Sequence, residues 1–167
     1  MFVKLINYFI KRIAPIKYAK SIGVKIGENC RLINVSFSTE PYLITIGNHV
    51  SATQVRFETH DGGVWVFRDK NSKIDIIKPI TIGNNVYIGF GSVILPGVTI
   101  GDNVVIGAYA VVSRDIPSNS IAVGIPAKVI KTVDEYIEKS IVVGENTKML
   151  SKSEKKEFYV KKYNSIR

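Results

Sequence analysis

A single cysteine stands among the 167 residues, together with only two histidines, His49 and His60. Cys30 alone can form neither an intramolecular disulfide nor a thiolate metal site, and two histidines are too few for a three-histidine zinc site within one chain. Long apolar runs are also missing. The N-terminal stretch is broken by Lys4, Asn7, Lys11 and Arg12, far short of the roughly 20 apolar residues that a bilayer span needs. Those charges, with no small-residue cleavage site behind an apolar core, argue against a secretory leader, and with the lone thiol they point to a cytoplasmic protein. Acidic residues are scarce: 14 Asp and Glu against 23 Lys and Arg leave a charge of +9, which suits anionic partners such as phosphorylated cofactors, nucleic acid or an acidic membrane surface. No Walker or dinucleotide fingerprint is present, so nucleotide hydrolysis and nicotinamide chemistry have no support. Apolar residues are abundant at 46%, enough to build a core in a chain of this length.

Those apolar residues are ordered by a repeat. Ile82, Ile88, Ile94, Ile100, Ile106 and Val112 recur every six residues, and Gly83, Gly89, Gly101 and Gly107 follow four of them. Four residues after each aliphatic comes a second small or apolar position: Val86, Ser92, Val98, Val104, Ala110 and Ile116. Neither a helix nor a simple strand has that period. A short extended segment followed by a turn does, and three such hexads close one triangular coil of a β-solenoid. Coils then stack about 4.8 Å apart with the aliphatics in ladders inside. Upstream the register continues through Ile26, Leu32, Ile46 and Val50. The interval from Ile26 to Ile46 is two residues longer than three hexads, which predicts a small insertion near Phe37 to Tyr42. Between His60 and Pro79 the pattern fails, so residues 60–79 are expected to form a loop thrown out of the solenoid, a common place for function.

The flanks lie outside the coils. Phe2, Ile6, Phe9, Ile10 and Ile13 fall on one helical face within Met1 to Ala14, with Pro15 beyond the end. Residues 1–20 are therefore read as an amphipathic helix that caps the solenoid, packs in an oligomer or rests on a membrane face. After Lys131 the hexads stop. Val133 to Val142 and Ser151 to Lys162 predict charged helices with Gly144-Glu145-Asn146 between them, giving a helical tail over 132–167 and a solenoid over 21–131.

The stretch Ile80 to Lys131, with its close Val112-Ser113-Arg114-Asp115-Ile116-Pro117 and Gly124-Ile125-Pro126-Ala127-Lys128, resembles the hexapeptide-repeat acyltransferases. The resemblance implies a mainly β fold, a left-handed parallel β-helix of hexapeptide repeats with an extruded loop and short terminal helices. It implies transfer of an acetyl group from acetyl-CoA, used as a co-substrate, with no metal. Thr59-His60-Asp61-Gly62-Gly63 occupies the place of the family's catalytic loop histidine, so His60 is expected to be the general base, a task that suits an imidazole at neutral pH. Phe90 matches the backbone N–H that holds the developing oxyanion. Ala108 and Ser113 match positions touching the pantetheine arm, and Arg114, Lys128 and Lys131 match basic positions near the nucleotide phosphates. Several family members carry Arg where this chain has Lys128, which puts a bidentate phosphate contact there in doubt. The family's site lies between subunits, so a homotrimer is implied.

The residues around the loop look most like family members that O-acetylate sugars in bacterial surface polysaccharide biosynthesis. Trp65 is then a sugar platform, or with Phe67 a loop anchor or subunit contact; Asp61 or Glu58 is a partner for His60. An alternative acceptor is the amine of a nucleotide-linked aminosugar, and a non-catalytic β-solenoid scaffold is a third reading. His49, in the turn Gly47-Asn48-His49-Val50, reads as a surface turn residue, and Cys30 as a structural thiol. A basic coenzyme groove and a solvated surface account for +9 without nucleic acid. Localisation is expected to be cytoplasmic, with peripheral contact at the inner membrane face through residues 1–20.

Overall fold

A computed structural model describes residues 12–164. Among these residues, fourteen short strands, β1 (Lys25–Ile26) to β14 (Lys128–Thr132), build three sheets. Sheet A holds β1, β4 (Ile44–Ile46), β7 (Ile80–Ile82) and β10 (Thr99–Ile100). Sheet B holds β2 (Arg31–Ile33), β5 (Ser51–Thr53), β8 (Val86–Ile88), β11 (Val104–Ile106), β13 (Ser120–Val123) and β14. Sheet C holds β3 (Ser36–Phe37), β6 (Arg56–Phe57), β9 (Val93–Ile94) and β12 (Val111–Val112). Strands β1 to β12 pass in turn from A to B to C, and each pairs in parallel with a strand one coil away, as Ile82 does with Ile46 and Ile100. This is a parallel β-solenoid.

The hexad residues form its interior. Ile88, Ile94, Ile100, Ile106 and Val112 are 0% exposed, and Val86, Val98, Val104 and Ala110 are buried beside them. Each such aliphatic contributes about 1.5–3 kcal/mol by leaving water, which a single coil could not achieve without its neighbours. Ser92 is buried too, and its hydroxyl donates to the carbonyls of Gly89 and Gly107, each at 2.9 Å. The corner between sheets A and B repeatedly adopts positive φ, at Asn29, His49, Asn85 and Asn103, a conformation that Asn tolerates well. His49 takes an Asn position, and its Nδ1 bonds Asn85 Oδ1 at 2.8 Å; it is a turn residue, as expected. Cys30 is half-buried and its thiol donates to the Gly47 carbonyl at 3.2 Å.

The extra residues predicted in the first coil are there. Lys25 pairs with Thr45 across a 20-residue coil, and a short 3₁₀ turn, Pro41–Leu43, takes up the excess. The predicted loop leaves the solenoid after Thr59 and rejoins it at β7, with a 3₁₀ segment over Gly62–Phe67. Its neck is pinned: His60 and Ile77 form an antiparallel bridge, Asp61 N–H donates to the Ile76 carbonyl at 2.9 Å, and Lys78 N–H donates to that of Thr59 at 2.8 Å.

Two boundaries differ from the sequence reading. Most of the expected helix Met1–Ala14 lies outside the described residues, but a helix, α1, begins at Pro15 and runs to Ser21. Arg12 and Ile13 are helical and Ala14 is not, so Pro15 lies beyond the end of that segment, as expected, and also stands in the first turn of α1, where the missing N–H costs nothing. Ala19 of α1 is buried, with Ile16 and Ile22 packed against the solenoid core. At the other end β14 turns back antiparallel onto β13, closing the sheet B edge with the charged residues Lys128 and Lys131.

The chain forms two compact units, Met1–Tyr136 and Ile137–Arg167. Helix α2 (Val133–Val143) begins in a capping box, with Glu135 N–H donating to Thr132 Oγ1 and Thr132 N–H to Glu135 Oε2. Helix α3 (Lys152–Asn164) begins in a second one, built from Ser151 and Glu154. Both are Ser/Thr-x-x-Glu starts, and both helices fall within two residues of their predicted bounds. No helix among the described residues is long and apolar enough to cross a membrane.

Candidate active site

Parallel stacking puts each residue beside the one a coil earlier. Phe37 pairs with Phe57, and their rings stack at 5.4 Å. Continuing that register by three residues sets Glu40 beside His60. The two side chains meet: His60 Nδ1 lies 3.1 Å from Glu40 Oε2. Glu40 also accepts from the hydroxyls of Thr39 at 2.5 Å and Thr59 at 2.7 Å. The buried Thr59 is itself held by Ser38, whose Oγ lies 2.5 Å from Thr59 Oγ1 and accepts from Thr59 N–H at 2.8 Å.

The donors decide the charge state. The Thr39 hydroxyl contributes most, followed by the Thr59 hydroxyl and the His60 imidazole, and together they hold the Glu40 carboxyl below the ordinary carboxylate range against the opposing effect of burial. An ionised carboxylate only accepts hydrogen bonds, so the imidazole must donate Nδ1–H to it. That tautomer leaves the Nε2 lone pair free. His60 is half-exposed, whereas the Glu40 side chain is 14% exposed, so a partly buried anion backs a base that solutes can reach.

Neither of the acids expected to orient His60 does so. Asp61 Oδ1 caps the 3₁₀ segment by accepting Gly63 N–H at 2.8 Å, and Glu58 pairs with Arg56. Both are consumed by near neighbours in sequence. Glu40 was missed because its relation to His60 appears only once the coil length is known. The signal was the two-residue excess in the first coil, which contains it.

His60 lies between two clefts. One is lined by Arg56, Glu58, Lys78, Leu95, Pro96 and Ser113, and the other by Glu40, Val64, Trp65, Arg68 and Asp75. His60, Asp61 and Gly62 line both. Ser113 is therefore brought to His60, and exposed Arg114 follows it at the corner between sheets C and A. Phe90 and Ala108 stand at a different corner, between sheets B and C, stacked one coil apart by the 2.8 Å bond from Tyr109 N–H to the Phe90 carbonyl. The Phe90 ring packs edge-on against Tyr109 at 5.4 Å. Lys128 and Lys131 lie on β14 opposite Val123 and Ile121, and Lys131 Nζ sits 5.0 Å from the Tyr136 ring centroid. One chain thus gathers His60 and Ser113 but not Phe90, Ala108, Lys128 or Lys131.

Comparison with known proteins fits this architecture. A family model described as bacterial transferase hexapeptide (six repeats) matches residues 79–114. Protein CapG of Staphylococcus aureus is 48% identical over 168 residues, covering 98% of each chain. The chain belongs to the hexapeptide-repeat acyltransferases. Galactoside O-acetyltransferase of Escherichia coli, another relative, is 39% identical over 72% of this chain and 60% of its own. Among solved structures, a hexapeptide-repeat acetyltransferase from Vibrio cholerae in complex with acetyl coenzyme A superimposes with a TM-score of 0.59 at 33% identity. That match covers 66% of this chain and 60% of the Vibrio one. The family's hexapeptide repeat is the one that builds this solenoid.

Proposed function

We propose that this acyltransferase moves an acetyl group from acetyl-CoA to a sugar hydroxyl, with His60 as general base and Glu40 holding it. The observation that carries this reading is the Glu40–His60 pair at the junction of two clefts. Acetyl-CoA supplies the acyl group as a thioester. A hydroxyl in hydrogen-bond reach of His60 Nε2 gives up its proton there as its oxygen forms the new ester bond. The charge gained by the imidazole is stabilised by Glu40, whose own charge the three donors preserve. His60 then holds the proton where the departing thiolate can take it.

The donor residues fit a phosphorylated, amide-bearing chain. Exposed Ser113 and Ala108 offer hydroxyl and backbone groups, and Arg114, Lys128 and Lys131 offer cations for phosphates. Phe90 N–H has no acceptor among the described residues, as an oxyanion donor requires. Phe90 and His60 stand on different corners of the prism, so the reading needs Phe90 from a second copy, in a trimer. The Vibrio complex with acetyl coenzyme A and the E. coli galactoside O-acetyltransferase support the donor and the acceptor class. The test is calorimetric titration with acetyl-CoA, alongside light scattering. The expected result is about one site per chain in a particle three times 18.5 kDa. A folded monomer, or a trimer without binding, contradicts it.

A further inference from the structure

We infer that the second cleft at His60, walled by Trp65, Arg68 and Asp75, is the acceptor subsite and is shaped for a single uncharged hexopyranose ring. This rests on the reading of His60 as the base of a sugar acetyltransferase. A transferase needs its two substrates on either side of one proton acceptor. The cleft reaching Ser113 on the last coils belongs to the donor in that reading. The cleft on the other side of His60 is left for the acceptor.

Its chemistry matches a pyranose. Trp65 is the only tryptophan in the chain and is 78% exposed, an arrangement that leaves a large apolar surface in water unless something covers it. A pyranose ring presents a face of C–H groups that stacks on an indole, and a rim of hydroxyls that needs donors and acceptors. Arg68 Nη2 and Asp75 Oδ1, 3.0 Å apart, offer both. With side chains 35% and 64% exposed, this ion pair adds little to stability. The pair is neutral as a whole and the other charged side chains of the cleft, Glu40 and Asp61, are acidic, which favours an uncharged ring over an acidic one.

The cleft is also held in place. Val64 is buried and anchors the 3₁₀ segment, while Trp65 next to it points its surface to solvent. Arg68 N–H donates to the Trp65 carbonyl at 3.2 Å, and the pinned neck of the loop ties the segment to His60. Stacking surface, polar pair and base therefore stand on one loop whose neck is bonded together, as substrate positioning demands.

Because Trp65 is the sole tryptophan, its emission reports the subsite directly. Methyl glycosides of glucose, galactose, mannose and N-acetylgalactosamine would be titrated against the trimer and against His60→Ala, then tested as acetyl acceptors. At least one is expected to shift the emission saturably in both proteins and to be acetylated by the unaltered one. Trp65→Ala is expected to raise the KM for that glycoside about tenfold, the value of one lost aromatic contact, with acetyl-CoA affinity unchanged. Arg68→Gln is expected to raise it as well. An unchanged KM in Trp65→Ala overturns the subsite alone. Dissociation of the oligomer by Trp65→Ala also overturns it, by showing that the indole covers a neighbouring copy. If no glycoside is acetylated by protein that binds acetyl-CoA, the sugar reading itself fails and the subsite with it.

Discussion

Replacing Glu40 by Gln keeps the size of the side chain and removes its charge, and the consequences can be worked from the bonds it makes. Both carboxylate oxygens accept, one from Thr39 and the other from Thr59 and His60. An amide has one oxygen for these three donors, so its NH₂ must face a group that formerly donated. If it faces Nδ1, the imidazole protonates at Nε2 instead and ceases to be a base. Even without that inversion, the imidazolium formed in the reaction loses an anion 3.1 Å away. Such a pair is worth about 5 kcal/mol at an effective dielectric near 20. Halving that for the half-exposed ring leaves about 2–3 kcal/mol, or roughly 30- to 150-fold in kcat. Tautomer inversion would add to it. The assay is release of the coenzyme thiol in the presence of an acceptor, with KM for acetyl-CoA expected to stay the same.

Stability supplies a second readout for the same variant. The native Glu40 carboxyl titrates below its unfolded value, so it stabilises the fold above the unfolded pKa and loses that contribution as pH falls through the lower native one. Glu40→Gln should be less stable by about 1 kcal/mol at neutral pH, and the gap should close below about pH 4. A fall in kcat of less than about threefold, with a closing stability gap, would show that Glu40 is structural and refute the assigned role.

The remaining expectations concern the scaffold. Ile100 is fully buried between Ile82 and Ile116, so Ile100→Ala should cost about 2–5 kcal/mol in urea unfolding; a loss below about 1 kcal/mol would contradict the ladder. At Gly89 an added Cβ would stand 2.5 Å from Ala108 N, a backbone atom that cannot rotate away. Gly89→Ala should therefore separate two coils and lower stability by about 1–3 kcal/mol; an unchanged melting temperature would contradict it.

The solenoid was legible because its repeat is local. Six residues make one side of the prism, so Ile82 through Val112 announce their own burial, and the failure of the pattern after His60 announces the loop. Contacts made across coils are not local and left weaker traces. Glu40 reaches His60 across one 20-residue coil, and nothing near His60 in sequence points to it; the nearby Asp61 and Glu58 were the natural suspects, and each is engaged elsewhere. Helix α1 left no separate trace, because the proline that lies beyond one helix end also suits the first turn of the next. The antiparallel return of β14 has no hexad signature, since an edge strand with alternate exposed lysines needs no inward ladder. Phe90 and Ala108 carry no chemical mark either, because their expected contribution is backbone.

The central claim is that His60 takes the acceptor proton. The most direct measurement compares single-turnover acetylation of a methyl glycoside by the unaltered protein and by His60→Ala, with acetyl-CoA binding measured on both. The account predicts equal binding and turnover lower by at least about a hundredfold, the low end for losing a general base. Equal binding with most of the turnover retained would contradict it.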